Sequence, residues 1–233
     1  MGAIETPSDE APGATRSKAT RRTFLKGMAA PLLAAAFAGP ALADEVVKLP
    51  APRTTGGKTL MEAISLRRST RAFGAKAIAP QTLSDLLWAA FGINRPESGG
   101  RTAPSWRGSY EIDIYAADAG GVWFYDAAAH AIRNVLTDDI RAEIGAQPFV
   151  ATAPVVLIYV ADRSRMDDAP EEEQIRFAYV DAAFVSQNVY LFAASAGLNT
   201  VVIGSIKADA VWKRLGLRDD QIVTLGQPIG HAP

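Results

Sequence analysis

Apolar residues recur at two periods along this chain, and the places where the period changes mark its elements. Leu60 and Ile64, four apart on one face, predict a helix over 59–67. Thr82 and Asp85 read as a capping box ahead of Leu83, Leu86, Leu87, Ala90 and Phe91, a second helix that Gly92 ends. The longest helical pattern runs from Glu171 to Ala196, with Ile175, Ala178, Ala182, Val185, Val189 and Phe192 in register and Gly197 as its C-cap. Shorter helices are expected over 137–144, opened by Thr137 and two acids, and over 208–215, closed by Gly216. Alternation over 111–116 and the short run 122–125 predict two strands, joined by the hairpin loop Asp118-Ala119-Gly120-Gly121. The continuous apolar run 154–160 predicts a central strand covered on both faces, and 201–203 and 222–225 predict two more. Asn94 to Trp106 reads as loop. Helices and strands interleave without regular strand–helix alternation and one hairpin is antiparallel, which favours an α+β fold over a doubly wound parallel sheet.

The N-terminal segment has a different pattern. Arg16, Lys18, Arg21, Arg22 and Lys26 precede an Ala- and Leu-rich run from Met28 to Ala43 that closes on Ala41-Leu42-Ala43. These are the charged, apolar and small-residue parts of an export signal. Within it, Thr20-Arg21-Arg22-Thr23-Phe24-Leu25-Lys26 resembles the twin-arginine motif. A membrane anchor is disfavoured, because the 16-residue run is interrupted by Pro31, Gly39 and Pro40 and a spanning helix needs about 20 apolar residues. The expected organisation is a signal over 1–43, an extended Pro- and Gly-containing lead-in over 44–58, and one domain over 59–233. The protein is then expected outside the cytoplasmic membrane, in the periplasm or otherwise exported, after meeting the twin-arginine machinery.

Composition narrows the chemistry. The net charge of -1 gives no bulk attraction to nucleic acid. No cysteine is present and only His130 and His231 supply imidazole, which disfavours metal and triad chemistry. His130 reads as an exposed loop histidine. Trp123, Phe124 and Tyr125 read as core and strand surface, and 162–173 as a solvated loop and helix start, with a lid as the alternative. There is no GxGxxG after a strand, so a Rossmann-type nicotinamide domain is not expected.

The densest cluster is Arg67-Arg68-Ser69-Thr70-Arg71, three guanidiniums and two hydroxyls at a helix end. Guanidinium forks and a serine hydroxyl suit a phosphate monoester. Composition alone leaves a second reading equally open, in which these cations complement the helix dipole and stay solvated.

Leu66-Arg67-Arg68-Ser69-Thr70-Arg71-Ala72-Phe73 resembles the opening signature of the nitroreductase family of flavoproteins. Leu86-Leu87-Trp88-Ala89-Ala90 and Arg101-Thr102-Ala103-Pro104-Ser105 resemble its azoline-oxidase branch. Asp181-Ala182-Ala183 through Gly197-Leu198 resembles the family's long central helix, Val202-Ile203-Gly204 a strand end by the flavin ring, and Gln227-Pro228-Ile229-Gly230 its closing segment. The resemblance spans about 49–233.

It implies a mixed, largely antiparallel sheet flanked by helices, an FMN cofactor, a homodimer, and transfer of hydride or electrons to or from a small nitroaromatic or quinone-type substrate. It implies that Arg67, Arg68, Ser69 and Arg71 hold the FMN phosphate and ribityl chain. Pro104 and Ser105 would lie by the ring, contributed across the dimer, and Ile203 and Gly204 would bring backbone groups to its edge. No side chain is expected to be catalytic, since the flavin carries the chemistry. The chain departs from the branch at Trp106-Arg107, where small residues are usual, and stops at Pro233, before the tail that gives many relatives a further basic residue. Those departures motivate the alternative of an exported anion- or flavin-binding module without redox turnover. The electron donor stays unassigned, because an exported protein is not expected to meet much NAD(P)H.

Overall fold

The computed structural model of the protein describes residues 45–166 and 168–233. The export signal expected over 1–43 lies outside the described residues. In chain order the elements are β1 (Val46–Lys48), α1 (Leu60–Leu66), α2 (Pro80–Phe91), β2 (Ile93–Arg95), β3 (Gly100–Arg101), β4 (Ile112–Asp118), β5 (Gly121–Asp126), β6 (Ala131–Leu136), α3 (Arg141–Ile144), α4 (Pro148–Thr152), β7 (Val155–Asp162), α5 (Glu171–Ala196), β8 (Asn199–Thr200), α6 (Ala208–Leu215) and β9 (Gln221–Gly230).

Seven strands form one sheet in the order β1-β6-β5-β4-β7-β9-β8. Every pairing in it is antiparallel, which goes further than the largely antiparallel expectation. β7 is central and buried at all eight positions. Its alternation explains the continuous apolar run: Val155, Leu157, Tyr159 and Ala161 face a core built with α2 and α5, while Val156, Ile158 and Val160 face a second core built with α3, α4 and α6. α5 lays Ala178, Ala182, Val185, Val189 and Ala193 on the first core. It ends where expected, on Gly197 at φ 71°, a left-handed position that suits glycine.

Several expectations need correcting. Asp85 does not pair with Thr82 as a capping box. The helix starts earlier, at Pro80 behind Ala79, and Asp85 lies within it, accepting bonds from Arg53 N (2.7 Å) and Nε (2.8 Å). Thr59 and Glu62 form the real capping box, at the start of α1. The stretch 137–144 is helical only from Arg141, because Asp139 turns back to bind that arginine. β6 and the β2–β3 hairpin were not expected, and the extended, exposed lead-in carries β1, which pairs with the β6 edge. The strand expected at 201–203 shrinks to a single bridge from Ile203 to Gly226, with β8 starting earlier. His130 is half-buried rather than exposed, with Nε2 at 2.8 Å from Ser84 Oγ and Nδ1 at 3.1 Å from the Tyr125 hydroxyl.

Candidate functional site

α5 organises the candidate site, because both groups of expected residues are tied to it. At its C-terminal half, Tyr190 points its hydroxyl between two segments, 2.9 Å from Ser69 Oγ and accepting the Val202 N–H at 2.9 Å. The guanidinium of Arg67 lies 5.1 Å over the same ring. Thr70 stitches the arginine segment to β8: its N–H donates to Thr200 O (2.9 Å), and its hydroxyl accepts from Thr200 N–H (3.0 Å). Asn199 adds a bond to Ala72 O at 2.7 Å. Arg67 ends α1 in an extended conformation, which releases the segment toward β8.

This end is electrostatically open. Arg68, Ser69 and Arg71 are exposed, and none of Arg67, Arg68 and Arg71 meets a carboxylate among the described residues. Arg68 and Thr70 line a cavity of about 210 Å³ with Tyr190 and Asn199. A cavity of about 620 Å³ lies under the lead-in, but its charged pair Arg53 and Asp85 is closed at 2.6 Å, so it offers no free charge to an anion.

Ile203 is paired within the fold: its N–H donates to Gly226 O (2.8 Å) and its carbonyl accepts from Gly226 N–H (3.1 Å). Gly204 is exposed and its backbone has no hydrogen-bond partner among the described residues. A Cβ there would meet nothing within 4 Å. Of the two, Gly204 alone presents free backbone groups.

Pro104 and Ser105 are held elsewhere. Pro104 is exposed; Ser105 Oγ accepts from Tyr110 N–H at 2.9 Å, and the next residue, Trp106, donates its N–H to Asp181 Oδ2 at 2.6 Å. Asn188 of α5 donates to Thr102 O at 3.3 Å, which fixes the root of this loop. Asp181 and Tyr190, the two anchors, are nine residues apart on α5, or about 14 Å of helix rise. The structure therefore brings Arg67, Ser69 and the 202–204 segment together, and leaves Pro104 and Ser105 on a separate anchor.

A match to the nitroreductase family model covers residues 64–231. The chain belongs to the nitroreductase family. A protein of Methanocaldococcus jannaschii assigned as a nitroreductase is 29% identical over 182 residues, 74% of this chain and 90% of that protein. The crystal structure of a protein of Ralstonia eutropha, also assigned as a nitroreductase, superposes with a TM-score of 0.78 at 39% identity, covering 81% of this chain and 90% of that one. The NADPH:FMN oxidoreductase of Vibrio harveyi, solved with NAD+, is 25% identical with a TM-score of 0.57, over 74% of this chain and 68% of that one. Nitroreductase-family proteins are typically flavin-dependent oxidoreductases.

Sequence reading missed Tyr190 and Asp181 as anchors. Both occupy ordinary positions in the helical pattern, and only the fold shows that each faces a polar segment rather than solvent. For Tyr190 the one available signal was a hydroxyl-bearing aromatic residue close to the apolar stripe.

Proposed function

We propose that this nitroreductase-family protein is an FMN-dependent oxidoreductase that acts as a homodimer on a small organic acceptor of the nitroaromatic or quinone type. The observation that carries this reading is the gathering of Arg67, Ser69 and the 202–204 segment on Tyr190, beside three guanidiniums without carboxylate partners among the described residues. That donor set fits a phosphorylated cofactor: Arg67, Arg68, Ser69 and Arg71 would hold its phosphate, and the free N–H of Gly204 would meet a ring edge. When bound, FMN supplies the two-electron chemistry, and the protein supplies orientation, donors and access. The Arg101-Thr102-Ala103-Pro104-Ser105 stretch supports a place near the azoline-oxidase branch.

The dimer is supported by exposure as well as by the separated anchors. Leu60 and Met61 of α1 are 62% and 72% exposed, and Tyr179 and Phe184 of α5 are 44% and 46% exposed. An apolar face of that kind is what a second copy would cover. It would also bring one chain's Pro104 and Ser105 to the other chain's arginine segment.

The test is the visible spectrum of the purified protein, identification of what heat releases, and anaerobic reduction followed by addition of a quinone or nitroaromatic acceptor. Yellow protein that releases FMN and is reoxidised by the acceptor is expected. Colourless protein that takes up no FMN would overturn the reading, and bound FMN that cannot be reduced would favour a binding module.

Export by the twin-arginine route belongs to the same proposal, since that route suits a protein loaded with its cofactor before crossing. Replacing Arg21 and Arg22 by Lys is expected to trap a full-length, flavin-loaded precursor in the cytoplasm. Processed protein still delivered outside would contradict the route, and a trapped, flavin-free precursor would contradict its link to the cofactor.

A further inference from the structure

The loop that carries Pro104 and Ser105 is unusual in its backbone and in what holds it. Arg107 (φ 47°) and Tyr110 (φ 48°) both occupy the left-handed region, where residues with a Cβ are disfavoured. Such a loop needs restraint, and two carboxylates provide it. Asp181 of α5 accepts the Trp106 N–H at 2.6 Å, and Glu111 Oε2 is 2.7 Å from Ser109 Oγ. Glu111 is 0% exposed and Asp181 2%. The Asp181 carboxylate is a neighbour of the Glu111 carboxyl.

Counting protons shows that one is missing if both are ionised. Ser109 Oγ contacts two acceptors, Trp106 O at 2.8 Å and Glu111 Oε2 at 2.7 Å, but a hydroxyl has one proton to give. Glu111 Oε1 is buried and has no donor among the described residues. A single proton on Glu111 Oε2, given to Ser109 Oγ, repairs this, because the serine can then give its own proton to Trp106 O.

Among the described residues no cation answers the pair instead. From the turn after β7, Arg165 is engaged with Asp113 (3.0 Å), Asp162 (3.4 Å) and Tyr110 O (3.0 Å). From α5, Arg176 lies over Phe177 and near Glu173; from the loop itself, Arg107 lies over the Trp106 ring. Asp162 meets Glu111 only through its backbone N–H, which donates to the Glu111 carbonyl. Burial, with Asp181 beside it, pushes the Glu111 carboxyl up to about 7.

We propose that Glu111 keeps one proton beside the Asp181 carboxylate, that this proton locks the 104–110 loop onto α5, and that its loss releases the loop. Both are positioning residues. With the proton on Oε2, Glu111 carries no charge against Asp181, Ser109 is free to bond Trp106 O, and Trp106 stays on Asp181. Without it, two negative charges face each other in a dry space and the left-handed loop loses its restraint. The bearing on turnover rests on the placement of Pro104 and Ser105 beside the flavin proposed above; the lock itself does not.

The test is a pH titration of the full-length protein labelled with 5-fluorotryptophan, followed by fluorine NMR. Trp106→Phe identifies the Trp106 resonance among the four tryptophans. That resonance is expected to move in one step near neutral pH. Glu111→Gln, whose amide imitates the protonated acid, should hold it at its low-pH position throughout, and Asp181→Asn should move the step to lower pH. A Trp106 resonance that ignores pH in the unsubstituted protein, or a step unchanged in both variants, would overturn the proposal. A flavin spectrum that follows the same step supports the lock and its link to the site. A flavin spectrum that ignores the step leaves the lock supported and counts against Pro104 and Ser105 lying beside the flavin.

Discussion

The two anchors on α5 hold their segments by opposite means. At Tyr190 a neutral hydroxyl bridges Ser69 and Val202 under an exposed positive segment, so the ties carry no charge and the charge faces outward. At Asp181 the tie is itself charged and buried, and the loop that it holds is strained. The first arrangement tolerates pH and invites an anion. The second depends on one proton and orders a loop whose Pro104 is exposed. Robust binding and adjustable positioning are thus assigned to different turns of one helix.

The largest expected effect tests the second anchor. A carboxyl whose native pKa is raised favours the folded state while it keeps its proton. Its penalty therefore grows as pH rises from the unfolded value near 4.5 toward about 7, and is full above that. Unfolding stability should fall by on the order of 3 kcal/mol across that window because of Glu111. Glu111→Gln should remove that fall, so that its stability gain over the parent is larger at pH 8 than at pH 5. Denaturant titration at both values checks this, and parallel curves for the two proteins would show that no proton is held there. Asp85, Asp139 and Asp162 are lowered, so their contributions are lost only below the ordinary carboxylate range. Asp113 is raised by burial and adds to the fall in parent and variant alike, so the comparison with Glu111→Gln isolates Glu111.

Next in size is the charge at the first anchor. Arg67→Ala or Arg71→Ala should weaken FMN binding by about 1.5–3 kcal/mol each, the scale of a hydrogen bond to a charged group. The same substitutions should leave the pH dependence of folding unchanged. Fluorescence titration with FMN checks the first statement, and unchanged affinity in both variants would remove the cluster from the site.

Tyr190→Phe should have a smaller effect. It leaves the Val202 N–H without its acceptor and frees Ser69, at a cost of about 1–2 kcal/mol in stability, with weakened FMN binding. If FMN affinity fell while Arg67→Ala had no effect, the hydroxyl rather than the guanidinium would be the group that matters.

The contrast also explains what the sequence made legible. Charge and order are written linearly, so Arg67-Arg68-Ser69-Thr70-Arg71 and the 26-residue helix α5 were readable, as was the central strand from its unbroken apolar run. Pairings between distant residues are not written that way. Glu111 opened a strand as an ordinary polar position, and nothing local shows that Asp181 would lie against it across 70 residues. The pairing of Ile203 was hidden for the same reason, because its backbone partner, Gly226, comes from β9. Asp85 misled the reading of α2 because the real claimant on its carboxylate, Arg53, lies in the lead-in.

The central claim is that each chain carries both halves of a flavin site and that two chains complete it. Light scattering on the eluting protein, with flavin absorbance recorded on the same peak, tests this most directly. A dimer carrying one FMN per chain is the predicted result. A monomer that holds FMN in equal amount would contradict it.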